Sequence, residues 1–365
     1  MGKFAGINTF RCAYSAHLSH HRNGGAGMYK IFGATLISLM TAGTAHAATI
    51  ERVGPIQTDP ALGCSLKVSG QIQSGDANEL LELLQTEIAK VDNFPSPQTD
   101  SQIVLCLESP GGSFAEAIVM AHVIYDNAVT TRVDPGAEYL SACAVAFMGG
   151  NLDTRSGQGW KSSRYVHPTS RLGFHAPGLV LPEGQFTRDD VQRAYGIAIQ
   201  AMGMISQDAR KLRMSQDVLT RMFNHTGDDF HYVQRIDHLN AYGLQLYGYD
   251  VPPMSSAATN TACWNAWRWY ADLPRETDTL SDFQAFTASF QISRSNGLPE
   301  FFPFDGSLFC KHQEQAFGGG NLDRVVQSEL TNFADIRLDS YHPQWIRYPG
   351  PMPLVDIRPG NQRDF

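Results

Sequence analysis

The stretch IVLCLESPGG, residues 103–112, decides how the chain is read. Its first five residues are an almost unbroken apolar run, the pattern of a strand buried on both faces of a parallel sheet. Ser109-Pro110-Gly111-Gly112 then turns the chain. Two further blocks follow at a distance: YLSAC at 139–143 and RLGFHA at 171–176. Residues 142–148 are small and apolar, which predicts a buried helix with Ser141 at its start. Residues 171–174 predict a short strand that delivers His175 at its end. A hydroxyl nucleophile needs a base within hydrogen-bond reach and backbone N–H groups aimed at the oxyanion it creates. Ser141 as nucleophile, His175 as general base, and Gly112 with Ala142 as N–H donors supply that set. Each block also has a plain structural reading: a turn, an N-cap serine, a strand-end histidine. It is their order that points to chemistry.

Outward from this stretch, strands and helices alternate. Leu66, Val68 and Ile72 define one face of a strand over 65–72. Ala77, Leu80, Leu81, Leu84, Ile88 and Val91 recur at helical spacing behind Asp76, a candidate cap. Residues 113–127 form a second amphipathic pattern and 128–133 a further strand. The longest helical pattern spans 187–213. Shorter ones cover 215–223 and 237–242, the last closed by Gly243. Such alternation predicts an α/β fold with parallel strand pairing.

SPGG, SAC and GFH in this order resemble the Clp protease branch of the Clp/crotonase superfamily, above all the secreted Clp-like proteins of bacteria. The resemblance covers roughly 64–250. It implies a Clp/crotonase-type core of repeated strand-strand-helix units and a serine peptidase working through an acyl-enzyme. A peptide or protein would be the substrate and no metal or organic cofactor would be needed. It also implies a homo-oligomer, with the helix over 187–213 at the subunit contact. The acid behind His175 should precede the helix that ends at Tyr242-Gly243, which makes Asp229 the first candidate and Asp228 the alternative. The chain departs from the pattern in two places. Tyr139 stands where secreted relatives often carry cysteine, and residues 151–170 are a longer, glycine-rich connection. Two rival readings stay open: a serine–lysine pair using Lys161, the one lysine nearby, and a catalytically inactive scaffold that binds through its C-terminal segment. Coenzyme A thioester chemistry ranks below both.

The rest of the sequence sets bounds. Met28, Lys30, the apolar run 31–40 and Ala45-His46-Ala47 compose a secretory signal with an A-x-A cleavage site. Residues 1–47 are therefore expected to be an upstream extension plus signal, and the mature chain to be exported, periplasmic or secreted. The formal charge is −8, and the cations Lys3, Arg11, Arg22 and Lys30 all lie in the segment removed. An acidic mature chain is a poor match for nucleic acid or an anionic membrane, and no later run is long enough to span a bilayer. Residues 48–254 form the expected Clp/crotonase-like domain, 255–260 a linker, and 261–365 an aromatic-rich segment of unknown fold with a tail expected to be partly disordered. Export permits disulfides. Cys64, Cys106, Cys143, Cys263 and Cys310 follow the signal, an odd count that leaves at least one free thiol; Cys106 and Cys143 read as small buried apolar residues, and Cys263 and Cys310 are the better candidates for a bridge. No histidine or cysteine spacing marks a metal site.

Overall fold

The computed structural model describes residues 47–91, 102–153, 160–178 and 185–253, and, with gaps, 255–288, 291–328 and 344–363. The fold is α/β. Its centre is a seven-stranded sheet in the order β1-β2-β3-β4-β8-β11-β16. The inner strands β2 (Leu66–Ser69), β3 (Val104–Glu108), β4 (Thr130–Val133), β8 (Arg164–Val166) and β11 (Gln245–Tyr249) run parallel. β1 (Thr49–Arg52) and β16 (Pro359–Arg363) flank them antiparallel. Residues 103–107 are completely or almost completely buried, as the apolar run required.

Two helices cover this part of the sheet. α1 (Asp76–Ile88) buries Ala77, Leu80 and Leu84, and α2 (Phe114–Asp126) buries Ala117, Ile118, Ala121 and Ile124. Gly75, in the left-handed region, is the N-cap of α1, while Asp76 sits one position inside and accepts from the Gln73 N–H at 2.7 Å. The cap of α2 is Ser113, whose hydroxyl accepts from the Glu116 N–H. A smaller sheet, β10-β9-β5, lies alongside. β5 (Glu138–Leu140) is parallel to β9 (Arg171–Phe174), and β10 (His231–Tyr232) is antiparallel to β9. Between β5 and β9 come the six-residue helix α3 (Ala142–Phe147) and the hairpin β6 (Asn151–Asp153) and β7 (Trp160–Ser162).

Arg164 gathers the helix ends. Fully buried, it donates to the carbonyls of Met148 (2.6 Å), Leu212 (2.6 Å), Tyr242 (3.0 Å) and Gly150 (3.3 Å). These groups follow α3, α4 (Arg188–Asp208) and α6 (Ile236–Ala241), where the last carbonyls of a helix lack internal partners. α5 (Gln216–Phe223) lies between α4 and α6 and is capped by Ser215.

The C-terminal segment differs from expectation. Trp345, Ile346, Tyr348, Leu354 and Ile357 are buried in the same apolar cluster as the sheet. Backbone bonds from Ile236 N to Met352 O (3.1 Å), Asp237 N to Gly350 O (3.0 Å) and Leu354 N to Gln234 O (2.8 Å) strap the tail to α6. Large aromatic area removed from water is what holds it there. Between α7 (Leu280–Ala288) and this strap lies a four-stranded antiparallel sheet, β12 (Gln291–Ser295), β13 (Leu298–Phe302), β14 (Cys310–Phe317) and β15 (Gly320–Ser328).

The disulfide also differs. Cys64 bonds Cys106, with Cα atoms 5.7 Å apart, and Cys143 is a buried free thiol. Cys106 is therefore not merely an apolar filler. β2 runs parallel to β3, so the residue that leads into β2 passes beside the β3 cysteine, a neighbourhood that local pattern cannot reveal. Cys263 lies outside the described residues, as does the side chain of Cys310. The bridge joins residues separated by 42 positions. By loop-closure entropy it is worth about 4 kcal/mol. Peptide mapping of the unreduced protein should recover the Cys64–Cys106 pair, and Cys64→Ser should lower the unfolding free energy by up to that amount. Unchanged denaturant midpoints would count against the bridge.

Candidate active site

The parallel pairing of β5 with β9 brings the two central side chains together. Leu140 is in register with Gly173, and the Ser141 N–H continues the ladder by donating to the Gly173 carbonyl at 3.0 Å. Ser141 and His175 thus leave neighbouring strands at the same end. Ser141 Oγ and His175 Nε2 are 2.5 Å apart.

Ser141 is not an ordinary cap. Its φ is 58° and its ψ −127°, and its side chain makes no capping hydrogen bond. An N-cap residue has extended φ and a side chain turned back on the helix. A non-glycine residue at positive φ stores on the order of 1–3 kcal/mol and persists only where its surroundings impose it. Here a tight strand-to-helix turn lifts the hydroxyl away from the helix and onto the imidazole.

The two glycines have separate reasons. A Cβ on Gly111 would stand 2.6 Å from Ser141 Cβ and 3.1 Å from its Oγ. A Cβ on Gly112 would instead meet the backbone of Ile72, at 2.2 Å from its carbonyl oxygen. Ile72 therefore excludes a side chain at Gly112, and Gly111 is the residue that must be bare beside Ser141. Both have strongly positive φ, 108° and 139°, which favours glycine independently of space. The Gly111 carbonyl and the Ser113 N–H bond Ile72, each at 2.8 Å. In such a bridge the N–H of the intervening Gly112 points the other way. Ser109 O accepts from Leu140 N at 3.2 Å, on the path to Ser141. Among the described residues neither the Gly112 nor the Ala142 N–H donates to a backbone carbonyl.

His175 is half-buried, with the Phe230 ring 4.7 Å from its own. Burial lowers its pKa below the ordinary 6.5, and the negative charge of Asp228 pulls it partly back. Its Nδ1 is buried without a hydrogen-bond partner. The first-choice acid does not reach it: the Asp229 carboxylate is 2.9 Å from His225 Nδ1 and its side chain is 70% exposed. Four residues apart, His225 and Asp229 close a local contact. Asp228 acts on His175 through charge alone. Asp237 pairs with Arg235, the N-cap residue of α6.

Lys161 lies on β7, after the C-terminal end of α3. The group in contact with the Ser141 hydroxyl is His175. Sequence reasoning missed Phe230 and Gly173. A glycine two residues before the histidine was the available signal: a Cβ there would press on Leu140 and Tyr232 at 2.9 Å.

No protein-family model matches the chain, and no curated protein matches it in sequence.

Two outcomes follow from this geometry. Ser141→Gly removes the hydroxyl and relieves the positive φ, so the variant should melt at or above the wild-type temperature, with a gain on the order of 1 kcal/mol. A marked loss of stability would mean that the turn is not strained. Gly112→Ala should unfold more easily, by roughly 1–3 kcal/mol, because it presses on Ile72. Wild-type stability in Gly112→Ala would show that this approach is not close.

Proposed function

We propose that the protein is an exported serine hydrolase with a Clp/crotonase-type core, acting on peptide or protein substrates through an acyl-enzyme. The observation that carries this reading is the 2.5 Å contact between Ser141 Oγ and His175 Nε2 at a serine held outside capping geometry. Ser141 Oγ attacks the acyl carbon while His175 Nε2 takes its proton. The N–H groups of Gly112 and Ala142 receive the oxyanion. The imidazolium then passes the proton to the leaving amine, and water, deprotonated by the same nitrogen, releases the acyl group. The chemistry needs no metal or organic cofactor. Asp228 supports the imidazolium by its charge.

The Cys64–Cys106 disulfide supports export, since such bonds persist in oxidising compartments. No helix among the described residues is long and apolar enough to cross a membrane. The homo-oligomer reading draws support from α4. Val191, Tyr195 and Ile199 form an i, i+4, i+8 stripe along it, and all three are exposed, Tyr195 by 68%. Exposed apolar area of this kind marks contact surfaces.

Two measurements test the reading. A fluorophosphonate probe should label Ser141 in the wild type and nothing in Ser141→Ala; an unlabelled wild type would favour the scaffold alternative. The second is a pH profile of kcat/KM. A base whose pKa is lowered by burial is neutral, and so active, through the neutral range. The rate should fall about tenfold per pH unit only on an acid limb below pH 6.5. Asp228→Asn removes the opposing charge and should move that limb to still lower pH, while Asp229→Asn leaves it in place. A limb above 6.5, or one moved by Asp229→Asn alone, would contradict the assignment.

A further inference from the structure

Beside the strand that ends at His175 lies a second group of ionisable side chains that the proposed hydrolysis does not use. His231 on β10, His238 on α6 and Glu276, ahead of α7, each bring one potential ligand atom within 4.8 Å of the others. His238 Nε2 is 3.2 Å from Glu276 Oε1 and 3.3 Å from Oε2. Neighbouring ligands on a tetrahedral zinc ion with bonds of ~2.0–2.1 Å stand roughly 3.3 Å apart. His231 is only 7% exposed, and its Nε2 is buried without a hydrogen-bond partner. Buried polar atoms are nearly always satisfied, and an exception calls for an explanation such as an ion.

The chemistry of the donors agrees. Both rings are buried, His238 being 3% exposed, and a neutral imidazole is the form that ligates. The His238 ring is also held from the backbone. The Gln234 N–H donates to its Nδ1 at 3.3 Å, so in the metal-free ring the proton sits on Nε2 and must leave it before Nε2 can ligate. Glu276 is exposed, which gives an entry path.

One feature opposes a cation. The Arg221 guanidinium contacts Glu276, and Asp217 holds the same guanidinium at 2.8 Å. Arg235 is already taken by Asp237 and by the Glu276 backbone carbonyl at 2.8 Å. Arg221 can therefore yield the carboxylate and remain paired with Asp217.

We propose that His231, His238 and Glu276 form a binding site for a divalent transition metal of the zinc type, with a fourth position left to water. The ion would fasten the C-terminal segment, through Glu276, to β10, whose His231 is in register with Phe174, the residue before His175. The site stands whether or not Ser141 is a nucleophile.

The test uses the full chain, stripped with a chelator, then titrated with Zn²⁺ by calorimetry and with Co²⁺ by visible absorption. Wild type should take up metal with a tetrahedral cobalt spectrum. His231→Gln, His238→Gln and Glu276→Gln should each weaken zinc at least roughly tenfold, while His225→Gln, a neighbouring histidine outside the set, should not. Metal held elsewhere on the chain would persist in every variant, so the difference between variant and wild type isolates this site. Arg221→Gln keeps all three ligands and removes the competing cation, so it should bind zinc more tightly. No uptake by wild type, equal binding in the ligand variants, or unchanged binding in Arg221→Gln would each overturn the proposal. The Arg221→Gln arm decides it even if the ligand variants misfold.

Discussion

The parallel pairing of β5 with β9, extended by the Ser141 N–H onto the Gly173 carbonyl, is the constraint on which the site depends. It fixes the end from which the two strands release Ser141 and His175. Residues 34 apart in sequence are thereby brought to hydrogen-bond distance. The close approach of Gly111 to Ser141 then leaves the turn no room for a side chain. A serine forced to positive φ is a local cost that only this surrounding pairing can sustain. The buried sheet and the Arg164 clasp on the helix ends supply the rigidity behind it.

Much of the core was legible from the sequence because it is local and periodic. The apolar run at 103–107 and the α1 and α2 patterns depend on neighbours a few residues away, although the cap of α1 fell on Gly75 rather than Asp76. The pairing of Ser141 with His175 was legible only through the order of three blocks. What escaped was long-range. Gly112 is bare because Ile72, on another part of the chain, approaches it; nothing near SPGG reports that. Cys106 found Cys64 across two parallel strands. Asp229 failed for the opposite reason: a histidine four residues before it offered a nearer partner than His175.

The C-terminal segment was the least legible part. Its aromatic residues carried no motif and its tail was expected to be partly disordered, yet Trp345 lies in the main core and β16 on the sheet edge. That edge would otherwise expose unpaired backbone groups. The tail is thus part of what stabilises the sheet, and Glu276, on the way to it, reaches back to the histidines behind the site.

The central claim is that Ser141 carries the acyl group during turnover, with His175 as its base. Rapid mixing with an activated ester, followed by acid quench and peptide mass analysis, tests it most directly. The account predicts a burst of leaving group with the acyl mass on the peptide containing Ser141, and no burst in His175→Ala. Hydrolysis with no burst and no acylated Ser141, or an acyl group found on another residue, would contradict it.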